Sequence, residues 1–248
     1  VKKPDGKLRL CVDYRKINQV TVFDAEPMVQ TEDIFSKLSK DVLFSKFDLS
    51  KGYWQINMHE PDKEITAFIT HRGLHQFRTM PFGLVNAPAT FTRIMRILLQ
   101  GSQDLDNYLD DVLAHSTDWN SHMRALRDFL IRVREANLTL RPTKCSLGYP
   151  SVNFLGHRVG NQKVEPNQDT VNKILLAERP TTKKQLRSFI GLISYYRKFI
   201  PNFAAIAVPL TDLTRKGSPN DLPWEDVHQR AFDSLRRYIA NPPIMRLP

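Results

Sequence analysis

Two adjacent carboxylates interrupt a stretch of sequence that is otherwise typical of a β-strand. The run NYLDDVLAHS (107–116) places Asp110 and Asp111 between Leu109 and Val112. Neighbouring like charges repel, and each loses hydration where its strand is half-buried. A β-hairpin that carries both aspartates at its tip avoids this cost, because side chains at a turn project outward. The sequence therefore predicts a strand, a tight turn and a second strand over this run.

A third carboxylate occupies a similar position elsewhere in the chain. Asp48 ends the apolar run LFSKFD. Strand ends that carry Asp can converge across a sheet into an anionic pocket, which favours hard divalent cations such as Mg²⁺. Two such ions would stabilise the attacking and leaving oxygens of a phosphoryl transfer. The dipeptide alone favours an ordinary surface turn, but its apolar flanks, the second Asp-tipped strand and the charge distribution together favour a metal site.

The net charge of +10 is concentrated in two stretches. Residues 1–20 contribute +4, from six Lys/Arg and two Asp, and residues 171–198 contribute +6, from seven Lys/Arg and one Glu. Two separated basic patches on a neutral body indicate a polyanionic partner, with nucleic acid as the leading candidate. Two solvated surface faces would give the same counts, so charge alone leaves both interpretations open.

Several other classes of protein find little support. No run approaches the roughly 20 apolar residues that span a bilayer, so we expect no membrane partner. Cys11 and Cys145 lie outside any Cys-x-x-Cys or Cys/His cluster, which favours reduced thiols inside a cell. His71 and His75 have the spacing of a helical zinc pair, but Gly73 between them predicts a turn instead. Neither a Gly-x-x-x-x-Gly-Lys phosphate loop nor a Ser-His-Asp constellation is apparent.

The order of the predicted elements indicates an α+β fold. Strands and helices mix without regular alternation up to about residue 162, and helices separated by proline-bearing breaks follow. The predicted elements are a hairpin arm at 8–13, a helix at 31–40, a strand at 41–50, strands within 56–80 joined by turns at Pro61-Asp62 and Arg72-Gly73, a helix at 86–101, the hairpin at 107–116, a helix at 118–137 with an apolar stripe of Met123, Leu126, Phe129, Leu130 and Val133, a strand at 154–160, and helices at 167–178, 182–199 and 225–240.

Six ordered blocks of sequence resemble a known family. They are KKPDGKLRLCVDYRKIN, FSKFDLSKGYWQI, MPFGLVNAPATF, NYLDDVL, NFLGH and LRSFIGLISYYRKFIPNF, and they span nearly the whole chain. Together they resemble the reverse transcriptases of long-terminal-repeat retroelements of the Ty3/gypsy type, with retroviral enzymes as more distant relatives. The resemblance implies a right-hand polymerase of the α+β class. Its parts would be partial fingers (1–22 and 56–86), a palm with an antiparallel sheet (23–55 and 87–162) and a mostly helical thumb with the start of the connection (163–248).

The resemblance also implies a set of catalytic and metal-binding residues. Asp48 and Asp110 would bind two Mg²⁺ ions, which Mn²⁺ can replace. Asp111 would be needed but would coordinate less directly, and the main chain of Leu49 would add a metal or triphosphate contact. Lys144 would lie near the leaving pyrophosphate, although a solvated structural lysine is an equal alternative.

The incoming dNTP is assigned its own residues by the same resemblance. Tyr53 would pack against the sugar, where a bulky ring leaves no room for a 2′-hydroxyl; the alternative is that Tyr53 and Trp54 are ordinary palm core. Phe82 takes the place that retroviral enzymes fill with glutamine, so contact there would be apolar packing. The remaining implied dNTP contacts are Lys2 or Lys3 and Arg9 in the fingers, and Lys51 and Gly52 beside the phosphates and sugar.

Two segments are implied to hold the template–primer. Phe154, Leu155, Gly156 and His157 match the primer grip, a strand turn that positions the primer end. On the helix at 182–199, one predicted apolar stripe consists of Leu186, Phe189, Ile190, Ile193 and Ile200. The neighbouring face would meet the minor groove through Arg187, Gly191 and Tyr195, with small side chains admitting the nucleic acid and with Lys184 and Lys198 neutralising phosphates. An amphipathic helix with a solvated basic side would show the same pattern.

The resulting hypothesis is an RNA-directed DNA polymerase that extends a primer 3′-hydroxyl with dNTPs on an RNA or DNA template. One alternative is a retroelement-derived fragment that binds nucleic acid without polymerase activity. Another is a metal-dependent nuclease, which accounts for the carboxylates but not for Tyr53 or the thumb helix. We expect N-terminally incomplete fingers, no RNase H domain on this chain, and RNase H and integrase on the same polyprotein. The expected location is a cytoplasmic retroelement particle, from which the product complex can enter the nucleus.

Overall fold

A computed structural model describes residue 6, residues 10–241 and the backbone of residues 245–246. The chain divides after Val152 into two compact units. The elements of the N-terminal unit are α1 (Arg15–Val20), α2 (Thr31–Lys37), β1 (Leu43–Asp48), β2 (Phe68–Thr70), β3 (Gly73–His75), α3 (Ala87–Leu98), β4 (Leu105–Tyr108), β5 (Asp111–Ser116), α4 (Trp119–Glu135) and β6 (Ser146–Tyr149). Short 3₁₀ turns at Leu38–Lys40, Gly52–Gln55, Glu60–Asp62, Glu64–Thr66 and Pro142–Lys144 connect them.

A four-stranded antiparallel sheet organises the N-terminal unit. Its strand order is β4-β5-β1-β6, and β2 and β3 form a separate hairpin. Helices α3 and α4 bury their apolar faces in one core with the sheet, in which Phe91, Met95 and Phe129 are fully buried. The Phe47 and Phe129 rings lie 4.6 Å apart between centroids and join β1 to α4. This core fixes the sheet on which the candidate catalytic residues lie.

The predicted apolar stripe of helix α4 is only partly confirmed. Asp118 caps the helix by accepting hydrogen bonds from the backbone N–H groups of Asn120 and Ser121, so the helix begins where the sequence predicts. Phe129 and Val133 are buried as predicted. The prediction is wrong for Met123 and Leu130, which are 43% and 48% exposed. The core-facing side of the first half of the helix is instead formed by His122 and Ala125.

The C-terminal unit combines a second sheet with four helices. The sheet has the order β10-β9-β8-β7, and β7 begins at the boundary between the units. Its elements are β7 (Ser151–Phe154), β8 (His157–Gly160), β9 (Lys163–Pro166), α5 (Gln168–Leu175), α6 (Lys183–Ser194), α7 (Phe203–Asp212), α8 (Asp226–Ala240) and β10 (Met245–Arg246). The predicted stripe on α6 is confirmed for Leu186, Phe189 and Ile193, which are buried, and for Ile190, which is half-buried. Ile200 is also buried, but the helix ends at Ser194 and not at 199 as predicted. Phe189 packs on Phe232 of α8 with ring centroids 4.6 Å apart.

The structure differs from the sequence-based prediction in several places. The described part of the predicted hairpin arm, residues 10–13, is not a strand, and α1 follows it, with Asp13 accepting hydrogen bonds from the backbone N–H and guanidinium of Arg15. The predicted strand at 154–160 is broken by a left-handed turn at Leu155-Gly156. Helix α7, which contains Pro209, and strand β9 were not predicted.

A buried charge network lies at the end of the first sheet away from the paired aspartates. His115 on β5 contacts Asp41 through Nδ1 at 2.8 Å and Asp106 through Nε2 at 3.0 Å. Lys37 Nζ donates to Asp106 at 2.6 Å. Burial alone would lower the pKa of His115, but the hydrogen bonds to Asp106 and Asp41 outweigh burial and raise this pKa to about 9. The imidazole is therefore a cation held between two carboxylates.

This network predicts a pH-dependent free energy of unfolding. The pKa of His115 in the folded chain lies above that of an unfolded histidine, so its contribution to stability is complete below about pH 6.5 and is lost as pH rises through about 9. We expect the free energy of unfolding, measured by urea titration, to fall by about 2 to 3 kcal/mol between these pH values. His115→Gln should flatten the curve, whereas His71→Gln, at an exposed turn, should leave it unchanged. A flat wild-type curve would contradict the assignment.

Candidate active site

Three aspartates converge at the adjoining ends of the two central strands of the first sheet. Asp48 and Asp111 are direct Cα partners in the antiparallel register of β1 and β5. The backbone N–H of Leu49 donates to the carbonyl of Asp110 at 3.1 Å, so the end of β1 lies against the hairpin tip. The predicted convergence of the two Asp-tipped strands is therefore present in the fold.

The hairpin tip is a two-residue turn that holds Asp110 in an exposed position. Leu109 and Asp110 connect β4 to β5, and Tyr108 and Asp111 form the closing pair. Leu109 has a φ of 53°, a left-handed conformation that hairpin turns usually assign to Gly, Asn or Asp. The side-chain amide of Asn107 donates to the Leu109 carbonyl at 3.2 Å and supports this turn. Backbone strain is thus located directly before the residue that projects from the tip.

Two lysines form ion pairs with Asp48 and Asp111. Lys144 Nζ lies 3.1 Å from Asp48 Oδ2, and Lys46 Nζ lies 3.0 Å from Asp111 Oδ1. The pKa of Asp110 is raised, first because neighbouring atoms partly bury its carboxylate, although the residue as a whole is exposed, and then because Asp111 and Asp48 repel its charge. The cluster is balanced well enough to fold but keeps an excess of negative charge at Asp110.

The donor set fits a divalent cation of the Mg²⁺ type. No group of three or more His, Cys, Asp or Glu side chains is arranged as a ready-made metal cluster in residues 10–241, consistent with the lysines that hold Asp48 and Asp111. Mg²⁺ commonly binds through one or two carboxylates and completes its shell with water and substrate phosphates. A cation beside Asp48 and Asp110 would also relieve the repulsion that raises the pKa of Asp110.

An aromatic group packs beside the hairpin tip. The Tyr53 ring lies 5.2 Å from that of Phe82 and 5.4 Å from that of Phe91. Burial raises the pKa of Tyr53, and the charge of Asp110 raises it further. A Cβ added to Gly52 would lie 3.2 Å from the Asp110 Cβ, so a side chain at this position would have to displace Asp110 by a few tenths of an ångström. Gly52, Tyr53 and Phe82 therefore share one surface with Asp110.

Lys51 and Gln55 hold the segment between them in place. Lys51 has a left-handed φ of 56°, and its Nζ lies 5.3 Å from the centroid of the Trp54 ring. The Gln55 amide donates to the carbonyls of Ser50 at 2.7 Å and Thr139 at 3.1 Å, and it accepts from the Thr139 N–H at 2.6 Å. Sequence reasoning missed Gln55 and Lys46. Gln55 stands in the quoted block GYWQI, but its partner Thr139 is 84 residues away, and nothing in the sequence pairs the two.

The remaining predicted dNTP contacts, Lys2, Lys3 and Arg9, lie outside the described residues. The predicted primer-grip residues belong to the C-terminal unit, where Phe154 and His157 are buried on either side of the left-handed turn at Leu155-Gly156. His157 is 1% exposed.

The predicted thumb contacts lie along α6 and the turn that follows it. Lys184, Arg187, Gly191 and Tyr195 are exposed, and a Cβ added to Gly191 would meet nothing within 4 Å. Arg187 is engaged within its own unit, because its Nη2 donates to the Thr214 carbonyl at 2.7 Å. Lys198 Nζ lies 5.4 Å from the centroid of the Phe199 ring. Gly191 therefore leaves room for another molecule to approach the helix closely. The Arg187 guanidinium, in contrast, already binds a carbonyl of the segment that follows α7.

Comparison with known sequences places this site in context. The family model described as "Reverse transcriptase (RNA-dependent DNA polymerase)" matches residues 1–159. The retrovirus-related Pol polyprotein from transposon 297 of Drosophila melanogaster is 39% identical over 253 residues, which cover 100% of this chain and 24% of the polyprotein. The transposon Tf2-3 polyprotein of Schizosaccharomyces pombe is 30% identical over 250 residues, covering 99% of this chain and 18% of the polyprotein. The chain thus spans about a quarter or less of these relatives, and the predicted resemblance to Ty3/gypsy-type reverse transcriptases is confirmed.

Solved structures resemble the fold closely. A foamy viral protease-reverse transcriptase in complex with double-stranded DNA has a TM-score of 0.92 and 28% identity, over 99% of this chain and 44% of that chain. The foamy viral protein in complex with an RNA/DNA hybrid has a TM-score of 0.90 and 27% identity, over 98% of this chain and 33% of that chain. These similarities confirm the predicted α+β polymerase fold. Across the described residues, no helix has both the length and the apolar character needed to cross a membrane.

The contacts of Gln55 lead to a prediction about stability. Gln55→Leu keeps the approximate size of the side chain but leaves the Ser50 carbonyl and both backbone groups of Thr139 without this partner. We expect the free energy of unfolding to fall by about 1 to 3 kcal/mol, measured by urea titration. Gln100→Leu, at an exposed position after α3, is the matched control. Equal stability of the two variants would show that the Gln55 amide does not hold this segment.

Proposed function

Because the chain belongs to the reverse transcriptase (RNA-dependent DNA polymerase) family, we propose that it extends the 3′-hydroxyl of a primer with dNTPs on an RNA or DNA template. The observation that carries the proposal is the convergence of Asp48, Asp110 and Asp111 at the adjoining ends of β1 and β5. The foamy viral structures similar to this chain are complexes with double-stranded DNA and with an RNA/DNA hybrid, which supports a template–primer duplex as the partner. RNase H and integrase on the same polyprotein, and a cytoplasmic particle as its location, are part of the same proposal.

The carboxylates would serve the phosphoryl transfer in distinct ways. Asp48 and Asp110, with the main chain of Leu49, would hold two Mg²⁺ ions, which Mn²⁺ can replace; when bound, these ions neutralise charge on the attacking and leaving oxygens. Asp111 keeps Lys46 as its counter-ion, and both side chains are largely buried. The Lys144 side chain is 53% exposed, so it can leave Asp48 for a phosphate group of the substrate.

The aromatic surface beside Asp110 would select the sugar of the incoming nucleotide. Tyr53 is wedged between Phe82 and Phe91, so its ring has little freedom to move away from an added 2′-hydroxyl. Phe82 would contact the nucleotide by apolar packing. Gly52 keeps the backbone close to Asp110, and Lys51, with Lys2 and Arg9, would bind the phosphates. The turn at 154–157 would hold the primer end, and the face of α6 with Lys184, Arg187, Gly191, Tyr195 and Lys198 would follow the duplex.

The proposal predicts that Asp110→Asn removes activity without removing binding. The substitution keeps the size of the side chain but removes the charge that a cation requires. We expect the rate of primer extension on an RNA template with Mg²⁺ to fall by at least roughly a thousandfold, because electrostatic stabilisation is usually the largest catalytic contribution. Template–primer affinity, measured by fluorescence anisotropy, should change less than about threefold, because phosphate contacts dominate such binding.

The matched control for this experiment is Asp62→Asn, an exposed aspartate of a 3₁₀ turn. It should extend primers at the wild-type rate. A wild-type chain that binds template–primer but never extends it would favour the alternative of a nucleic-acid-binding fragment. Cleavage of the nucleic acid without extension would favour a nuclease.

A second prediction concerns the choice between ribose and deoxyribose. Tyr53→Ala removes the ring that is proposed to exclude a 2′-hydroxyl, and relief of such a clash is worth about 10- to 100-fold in rate. We expect discrimination against ribonucleotides, measured as the ratio of kcat/KM for dNTP and rNTP, to fall by that factor. Tyr53→Phe keeps the ring and should retain the wild-type ratio. Unchanged discrimination in Tyr53→Ala would remove Tyr53 from this role.

A further inference from the structure

The turn at Leu155-Gly156 has a backbone conformation that needs support from outside itself. Leu155 has a φ of 46° and Gly156 a φ of 69°, so two consecutive residues are left-handed between β7 and β8. A residue with a branched side chain such as Leu is disfavoured in this region, and such positions persist only where the surroundings determine them. Contacts that hold this turn therefore decide where it lies.

Two consecutive tyrosines at the end of α6 supply that support. Tyr195 Oη donates to the carbonyl of Leu155 at 2.7 Å, and Tyr196 Oη donates to the carbonyl of Gly156 at 2.8 Å. Each carbonyl also has a second donor. His157 Nδ1 lies 2.8 Å from the Leu155 carbonyl, which can only accept and so requires a proton on that nitrogen. The backbone N–H of Asn167 donates to the Gly156 carbonyl at 3.0 Å.

Packing around the same residues leaves the turn little freedom. The His157 ring lies 5.3 Å from Tyr195, 5.4 Å from Tyr196 and 5.8 Å from Phe199 between centroids. A Cβ added to Gly156 would lie 3.1 Å from Tyr196 Oη and 3.2 Å from a ring carbon of Tyr195. A side chain at position 156 would therefore strain the backbone and press against the two tyrosine rings.

We propose that Tyr195 and Tyr196 are positioning residues that fix the 154–157 turn to the end of α6, so that the turn and this helix move as one body. All of these contacts lie within the C-terminal unit. The consequence for catalysis rests on the proposed function: if the turn positions the primer end, a displacement of α6 by the nucleic acid also displaces the 3′-hydroxyl. The two tyrosine hydroxyls supply the hydrogen bonds of this link.

Hydrogen exchange tests the link without requiring activity. We expect Tyr195→Phe and Tyr196→Phe each to accelerate amide exchange of residues 155–159 and of Asn167 by roughly fivefold, and the double variant by roughly thirtyfold, because each loses one hydrogen bond that limits local opening. Gly156→Ala keeps both hydroxyls but displaces them and should have a similar effect. Tyr238→Phe, on α8, is the control and should leave these amides unchanged. Thermal melting checks that each variant is folded, and wild-type exchange in the double variant would overturn the proposal.

Primer extension then tests the positioning role. Tyr196→Phe, at a buried tyrosine outside the proposed duplex contacts, should lose at least about tenfold in kcat while its template–primer affinity stays within about twofold, because the duplex remains bound but its end is poorly placed. A kcat equal to wild type, together with accelerated exchange, would overturn the positioning role. If exchange accelerates but the wild-type chain has no polymerase activity, the link between turn and helix stands and the proposed function fails.

Discussion

Carboxylates at adjoining strand ends repel one another. At Asp48, Asp110 and Asp111, two nearby lysines partly offset this repulsion. Antiparallel pairing places Asp48 directly opposite Asp111, and Lys46, two residues earlier on the same face of β1, contacts Asp111. One strand thus supplies both a carboxylate and a counter-ion for the opposite strand. Lys144 reaches Asp48 from a 3₁₀ turn. Two of the three carboxylates at this end of the sheet therefore have a lysine counter-ion.

The other end of the sheet shows what a fully compensated acidic cluster looks like. Asp41 and Asp106 are both buried. The His115 cation contacts both carboxylates, and the Lys37 cation contacts Asp106. Burial would raise the pKa of Asp106, but its bonds to His115 and Lys37 outweigh this and lower it. At the hairpin tip the balance is reversed, because the pKa of Asp110 stays raised. The two acidic groups on one sheet therefore differ in their compensation: bonds to His115 and Lys37 outweigh burial at Asp106, whereas burial and the neighbouring carboxylates still raise the pKa of Asp110.

Local patterns in the sequence predicted the elements that depend on local physics. The hairpin at 107–116, the helices at 87–98 and 119–135 and the stripe on α6 follow from turn chemistry, capping and periodicity. Helix α7 was missed because Pro209 resembles a break, although the helix is long enough to continue past it. Near residue 10 an alternating pattern favoured a strand, but Asp13 bonds to the Arg15 N–H and a helix begins instead. Contacts between residues far apart, such as Gln55 with Thr139, carry no local signal and needed the folded chain.

Several residues other than glycine have a left-handed backbone conformation. Among the described residues, those that are Asn or Gln have ordinary explanations: Asn137 follows α4, Asn202 precedes α7, and Asn161 and Gln162 form the hairpin turn between β8 and β9.

The other three, Lys51, Leu109 and Leu155, have long or branched side chains and cost about 1 to 2 kcal/mol each in this conformation. Each lies in a block that carries the family resemblance, directly before Gly52, Asp110 and Gly156. Each also has a side-chain contact: Lys51 with the Trp54 ring, Leu109 with the Asn107 amide and Leu155 with the Tyr195 hydroxyl. These contacts offset the cost of the left-handed conformation, so the conformation persists. In a relaxed turn, the next residue would point in a different direction. Three of the six blocks that carry the family resemblance thus contain a long or branched residue in an unfavourable backbone conformation.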